Sequence, residues 1–122
     1  MERHIMRKLF MIAAAFIGLA AFSSAAEAKT ARCVLNGFMD QPYDGPCDFK
    51  PLKGGSFSVV GIRDDWFDKS GYQVVRLTVT GNGRGRLEGR AGSAMYVDLA
   101  TVARDRNAPA CWAGDDYRIC VY

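Results

Sequence analysis

The chain has 122 residues, of which 49% are hydrophobic and 24% charged, with a formal net charge of +3 at pH 7. This length supports a single domain with one core. The small net charge argues against nucleic-acid binding and against a membrane-disrupting peptide, because both depend on strongly basic surfaces.

Residues 1–28 have the features of a cleaved signal peptide. Basic residues precede an apolar run over residues 9–22, and small residues follow up to Ala28. This order of segments is typical of a secretory signal, and we expect cleavage before Lys29. The apolar run is shorter than the roughly 20 residues that a membrane-spanning helix needs.

Cleavage at that position leaves one mature domain, residues 29–122, with 13 basic and 11 acidic residues and therefore a net charge of +2. A start at Met1 or at Met6 preserves the signal, and the sequence leaves that choice open. No cysteine adjoins the cleavage site, so we expect no lipid or other membrane anchor. The predicted location is the periplasm or the medium outside the cell.

All the cysteines lie in the mature domain: Cys33, Cys47, Cys111 and Cys120. An even number of cysteines in a short exported chain indicates disulfides, and four cysteines allow three pairings. The short spacings favour Cys33–Cys47 and Cys111–Cys120, each closing a hairpin-sized loop. The only histidine, His4, lies in the signal peptide. The mature domain therefore lacks histidine catalysis and histidine metal sites, and we predict no metal and no cofactor.

The mature sequence predicts an all-β fold. Short runs rich in Val, Tyr, Phe, Thr and Ile alternate with Gly, Asn and Asp turn signals. This pattern favours a small antiparallel β-sandwich or β-barrel, stapled by the two disulfides. Residues 96–105 are compatible with a short helix as well as with a strand.

Two hairpins can be aligned from the sequence. In the first, a three-residue loop over residues 81–83 with a glycine bulge pairs Leu77 with Leu87 and Arg76 with Glu88. In the second, Cys111 lies opposite Cys120, which places Trp112 opposite Ile119. We expect Trp112 to pack into the core while the disulfide holds the terminal hairpin together.

The first hairpin suggests a binding surface. Its outer face carries four arginines, namely Arg76, Arg84, Arg86 and Arg90. Guanidinium groups pair bidentately with carboxylates and phosphates, so an envelope polymer or an acidic protein is the expected partner. The alternative is a solvated face that protects an exposed strand edge.

A second candidate is the aromatic pair Trp66 and Phe67, which lies among aspartates in the longest predicted loop. Aromatic side chains on an exposed loop can anchor a partner. The alternative is that the loop folds these rings back over an open end of the core.

Enzymatic chemistry would have to depend on paired carboxylates, as in glycan hydrolysis. The candidates are Asp64, Asp65, Asp68, Asp98, Asp115 and Asp116. Adjacent aspartates at turns are more typical of solvated caps, and we predict that the protein is not an enzyme. Asp64, Asp65 and Asp68 also lack the alternating spacing of a calcium loop.

Four short motifs resemble those of a known group of proteins. GPCDF (residues 45–49), GGSFSV (54–59), ACW (110–112) and RIC (118–120) resemble segments of small exported bacterial proteins of unassigned function. The resemblance spans most of the mature domain and implies a fold and a compartment, but no activity.

GSAMY (residues 92–96) resembles the small-residue loop, ending in tyrosine, of periplasmic inhibitors of c-type lysozyme. These inhibitors are small disulfide-bonded antiparallel β-barrels, and the resemblance implies that Ser93 would insert into the lysozyme cleft. Here VDLATVARD replaces the tryptophan and lysine-glycine segment that follows the loop in that family.

The leading interpretation is a non-enzymatic periplasmic or secreted binding module of the bacterial cell envelope. A lysozyme inhibitor is the first alternative and a carboxylate-based glycan hydrolase the second. A purely structural envelope protein cannot be separated from the leading interpretation by sequence.

Overall fold

The computed structural model describes residues 28–122. The predicted signal peptide and the choice between Met1 and Met6 lie outside the described residues. Within the described part of the chain, no helix has the length and the apolar character needed to cross a membrane.

Eight antiparallel strands form a closed barrel in which each strand pairs with the next, and the last strand pairs with the first. Of the two predicted architectures, the barrel is therefore the one observed. The strands are β1 (Lys29–Asn36), β2 (Tyr43–Pro51), β3 (Phe57–Gly61), β4 (Val74–Gly81), β5 (Arg84–Arg90), β6 (Val97–Arg104), β7 (Cys111–Ala113) and β8 (Arg118–Val121). A 3-10 turn (Lys53–Gly55) precedes β3, and a short helix, α1 (Trp66–Ser70), lies between β3 and β4.

The core fills the barrel interior because side chains alternate between inside and outside along each strand. In β5, Leu87 is fully buried while its neighbour Arg86 is exposed. In β4, Val75 and Leu77 are fully buried on either side of the half-buried Arg76. This alternation confirms the predicted strand pattern.

Both predicted disulfides are present, Cys33–Cys47 and Cys111–Cys120, and the described residues contain no free cysteine. The first lies inside the barrel and links β1 to β2, where both cysteines belong to the core. The second links directly opposite positions of β7 and β8. Trp112 lies opposite Ile119 and is buried in the core, as predicted.

The register of the first hairpin is also confirmed: Leu77 pairs with Leu87, and Arg76 with Glu88. The loop itself is tighter than predicted. Gly81 pairs with Arg84, and the register shift between Val79 and Gly81 takes up the additional residue. Gly83 has a φ of 67°, a left-handed value that glycine adopts without steric cost.

The ambiguous residues 96–105 form a strand over Val97–Arg104. This strand pairs with β5 on one side and with β7 on the other and thus completes the barrel. A helix at this position would leave the facing backbone groups of β5 and β7 without these hydrogen bonds. Its β-branched Val97, Thr101 and Val102 suit a pleated surface.

The two ends of the barrel differ, and we name them for that difference. The sealed end carries α1 and the loops that follow β1, β3, β5 and β7. The open end carries the connections that follow β2, β4 and β6, together with the start of β1 and the end of β8.

Aromatic side chains close the sealed end. The rings of Tyr43 and Trp66 meet edge to face with their centroids 4.9 Å apart, and those of Phe38 and Tyr117 do so at 5.0 Å. Buried aromatic pairs prefer this geometry. Tyr72 packs against the same core. The interior is therefore closed at this end by rings from four different segments of the chain.

Candidate functional site: the arginine surface

The outer face of β4 and β5 brings the predicted arginines together. We call it the arginine surface and define it by four residues, Arg76, Arg84, Arg86 and Arg90. The antiparallel register explains the placement, since Arg76 lies opposite Glu88 while Arg84, Arg86 and Arg90 occupy alternate positions of β5. The four side chains nevertheless have different surroundings.

Arg76 is held by contacts within the protein. Its guanidinium donates two hydrogen bonds of 3.2 Å to the carboxylate of Glu88, which also accepts one of 3.1 Å from Thr78. Its Cζ lies 3.6 Å from the centroid of the Tyr96 ring. Burial raises the pKa of Glu88, but the hydrogen bonds from Arg76 and Thr78 outweigh this effect, so the pKa lies below its ordinary value. Arg76 is thus part of the sheet structure.

Arg90 is similarly committed. Its Cζ lies 5.3 Å from the centroid of the same Tyr96 ring, which therefore contacts two guanidinium groups. Its Nε is buried without a hydrogen-bond partner among the described residues. The contact of Tyr96 with the arginines has no signal in the sequence, because Tyr96 is six or more positions from either arginine and meets them only through the folded sheet.

Arg84 and Arg86 are free to contact a partner. Arg86 is exposed, and its Nε lies 3.8 Å from Asp98, whose side chain is 71% exposed. An exposed pair at this distance contributes little stability and exchanges readily with solvent or ligand. Arg84 is exposed and forms no ion pair with any residue in the described range 28–122.

Helix α1 separates the aromatic pair. Trp66 is 4% exposed, packs on Tyr43 and donates a hydrogen bond of 3.1 Å from Nε1 to the carbonyl oxygen of Gln73. Phe67 is 53% exposed. The two predicted alternatives therefore apply to one residue each: Trp66 folds back over the core, and Phe67 alone is available on the surface.

Among the candidate catalytic aspartates, Asp65 forms two ion pairs. Asp65 is bound by Arg63 at 2.7 Å and by Lys69 at 3.1 Å. The hydrogen bond from Arg63, followed by that from Lys69, holds the pKa of Asp65 far below its ordinary value. A glycan hydrolase needs one carboxyl with a raised pKa as its general acid. Asp65 has the opposite shift.

The other carboxyl groups with a clear shift follow the same direction. The Arg32 guanidinium lowers the pKa of Asp44. The backbone N–H of Asn107, followed by Arg118, lowers the pKa of Asp105. Among residues 28–122, no three His, Cys, Asp or Glu side chains are placed to hold a metal ion. Asp64, Asp65 and Asp68 are therefore not gathered into such a group.

The loop that resembles the lysozyme-inhibitor segment joins β5 to β6 at the sealed end. Residues 91–95 are exposed, Ser93 among them, and Met95 reaches 87% exposure. Tyr96, by contrast, is only partly exposed because it packs between the arginines. The loop is thus accessible, and its last residue is anchored to the arginine surface.

Comparisons with known proteins add no family to these observations. No protein-family model matches the sequence, and no curated protein or solved structure gives a significant match.

Proposed function

We propose that this protein is a non-enzymatic binding module of the bacterial cell envelope, periplasmic or secreted. Arg84 and Arg86 would bind carboxylate or phosphate groups of an envelope polymer or an acidic protein. The observation that carries this proposal is the exposure of these two guanidinium groups on alternate positions of one strand of a disulfide-stapled barrel. A rigid strand fixes the spacing of their backbone positions, so only the side chains have to be ordered when a partner binds.

The charge of the surrounding surface supports an acidic partner. The arginine surface contains four cations, and their ion-pair partners within residues 28–122 are Glu88 and Asp98. Since Glu88 neutralises Arg76 and Asp98 is weakly held by Arg86, positive charge remains at Arg84, Arg86 and Arg90. Arginine suits this role because its planar fork matches the geometry of carboxylates and phosphates.

The experiment is affinity capture from a cell-envelope extract at low and at high salt. The bait is the oxidised protein, compared with the double variant Arg84→Glu/Arg86→Glu. A matched control, Lys50→Glu/Lys53→Glu, makes the same change in charge at exposed positions on β2 and the 3-10 turn, outside the β4–β5 hairpin that carries Arg84 and Arg86. We expect the native bait and the control to capture the same component, and the arginine variant to lose it.

High salt should weaken the capture, because screening reduces interactions between exposed charges. Capture of the same component by all three baits would contradict the role of Arg84 and Arg86. Circular dichroism of each bait confirms that the variants retain the barrel.

Inhibition of c-type lysozyme is the second candidate function, and the exposed loop of residues 91–95 favours it. If the loop inserts into the lysozyme cleft, then the native protein at micromolar concentration should slow lysis of a bacterial suspension, and Ser93→Trp should abolish the effect. Unchanged lysis with the native protein would remove this candidate. The arginine surface argues against it, because lysozyme is itself basic and like charges repel.

A further inference from the structure

The open end of the barrel contains a cavity of about 660 Å³. Small-molecule pockets have volumes of about 300–1,000 Å³ and often lie in the mouths of β-barrels. An eight-stranded barrel is wide enough inside either to be filled by its own side chains or to hold one small ligand. At the sealed end this barrel is filled, whereas at the open end it is not.

The wall of the cavity is the uncovered continuation of the hydrophobic core. Ala31, Phe49, Val79 and Val121 point inward but are only partly buried, and all of them line the cavity. Two positions deeper on the same four strands, the inward residues are fully buried: Cys33, Cys47, Leu77 and Ile119. The apolar interior is therefore accessible from this end.

Glycines leave the rim of the cavity free of side chains. A Cβ atom placed on Gly54, Gly81 or Gly83 would have no other residue within 4 Å. At the sealed end, a Cβ on Gly61 or Gly89 would instead overlap Trp66 or Tyr72. At the sealed end the glycines thus leave space for the rings of Trp66 and Tyr72, and at the open end they leave the mouth of the cavity uncovered.

Two cations mark the entrance. Lys29 and Arg104 both line the cavity. Each lies two residues from an inward-facing residue of its own strand, Lys29 from Ala31 on β1 and Arg104 from Val102 on β6, and therefore faces the same side of the sheet. Within residues 28–122, neither forms an ion pair, and no Asp or Glu lines the cavity. The mouth therefore has an apolar wall and two cationic side chains at its rim.

Arg104 is fixed in position for binding. Its Nε donates a hydrogen bond of 2.8 Å to the carbonyl oxygen of Pro109, and its Cζ lies 5.4 Å from the centroid of the Trp112 ring. The terminal N–H groups of the guanidinium remain as donors. Lys29 extends over Phe49, with 5.7 Å between its Nζ and the ring centroid.

From this combination we infer that the open end binds a small amphipathic carboxylate, an apolar chain whose carboxylate is held at the rim by Lys29 and Arg104. The apolar chain would lie against Phe49, Val79 and Trp112. The site is separate from the arginine surface and does not depend on the proposed function.

The experiment measures binding of decanoate to the oxidised protein, purified after expression of the full-length sequence. Isothermal calorimetry gives the affinity, and tryptophan fluorescence locates the ligand, because Trp112 lines the cavity while Trp66 lies at the opposite end. Only decanoate offers an anion to Lys29 and Arg104, and hydrogen bonds between charged groups are stronger than those between neutral ones. Decanoate should therefore bind about tenfold more tightly than decanol, a difference of about 1.4 kcal/mol.

Variants distinguish the contribution of the two cationic side chains to binding from that of the apolar cavity. Arg104→Met and, independently, Lys29→Met should weaken decanoate binding while leaving decanol binding unchanged. Lys50→Met, the same change on the outer face of β2, should have no effect. Ala31→Trp should fill the mouth and abolish binding of both compounds. Thermal melting of each variant shows whether it is folded.

Three results would overturn the inference. They are equal affinities for decanoate and decanol, decanoate binding that survives Ala31→Trp, and no binding of decanoate by the folded native protein at millimolar concentration.

Discussion

At the scale of single residues, the sealed end depends on two glycines that face aromatic rings. The indole of Trp66 occupies the space that a Cβ on Gly61 would take. The ring of Tyr72 lies 2.6 Å from the Cβ position of Gly89. The missing side chains on β3 and β5 thus create the space in which these aromatics are buried.

We therefore expect Gly61→Ala to destabilise the protein. The added methyl group overlaps the indole, and such overpacking costs about 1–3 kcal/mol of the free energy of unfolding. Gly81→Ala is the matched control, because a Cβ there meets no other residue within 4 Å. Urea denaturation of the two variants checks this. Equal free energies of unfolding for Gly61→Ala and Gly81→Ala would show that the Trp66 side chain does not pack against Gly61.

The different positions of Trp66 and Phe67 could not be predicted from local sequence. The two residues are adjacent and both aromatic, and either could have faced the core. Trp66 is buried because Gly61 leaves space for its ring and Gln73 accepts its hydrogen bond. Both contacts depend on the pairing of β3 with β4, the strands that α1 connects.

At the scale of elements, the C-terminal hairpin is the least extensively paired part of the barrel. Strand β7 has three residues, and β6 pairs with it through two positions only, Ala103 with Ala113 and Arg104 with Trp112. The Cys111–Cys120 disulfide links β7 covalently to β8, which in turn pairs with β1 over four positions. The disulfide therefore helps to keep the barrel closed.

Removal of this disulfide by Cys111→Ala/Cys120→Ala should lower the free energy of unfolding by about 2–3 kcal/mol, as expected for a loop of this length. Amide hydrogen exchange should become faster in β7 and β8 and remain nearly unchanged in β2 and β3. A loss below about 0.5 kcal/mol, within the range of ordinary surface substitutions, would contradict this role.

Local spacing was sufficient to predict both hairpins, because facing pairs such as Leu77 with Leu87 are determined by alternation and loop length. The strand over Val97–Arg104 could not be predicted in this way, since its conformation depends on pairing with both β5 and β7. The open end was missed for a similar reason. Lys29 and Arg104 are 75 positions apart and come together only when the barrel closes.

At the scale of the whole molecule, ion pairs and hydrogen bonds to carboxylates connect segments that are distant in sequence. Arg32 binds Asp44 across β1 and β2, and Arg118 binds Asp105 at 3.1 Å. The pKa values of Asp44 and Glu88 are lowered by such contacts. Those of Asp65 and Asp105 are lowered mainly by local contacts, from Arg63 to Asp65 and from the backbone N–H of Asn107 to Asp105. A carboxyl group with a lowered pKa in the folded protein stabilises the fold when it is ionised.

Stability should therefore be highest above the ordinary carboxyl pKa of about 4 and should fall as the pH decreases below it. Glu88→Gln should reduce this dependence, because the paired carboxylate is removed while its shape is retained. Urea midpoints measured from neutral to acidic pH check the prediction. A midpoint that rises on acidification would contradict the assigned direction of the shifts.

The measurement that tests the central claim most directly is an NMR titration of the isotope-labelled, oxidised protein with the envelope component that the native protein captures. If the arginine surface is the binding site, then the amide signals that move will belong to β5 and its neighbours β4 and β6, and Arg84→Glu/Arg86→Glu will abolish the changes. Shifts confined to residues 91–96 or to the open end, or shifts that survive the double variant, would contradict this account.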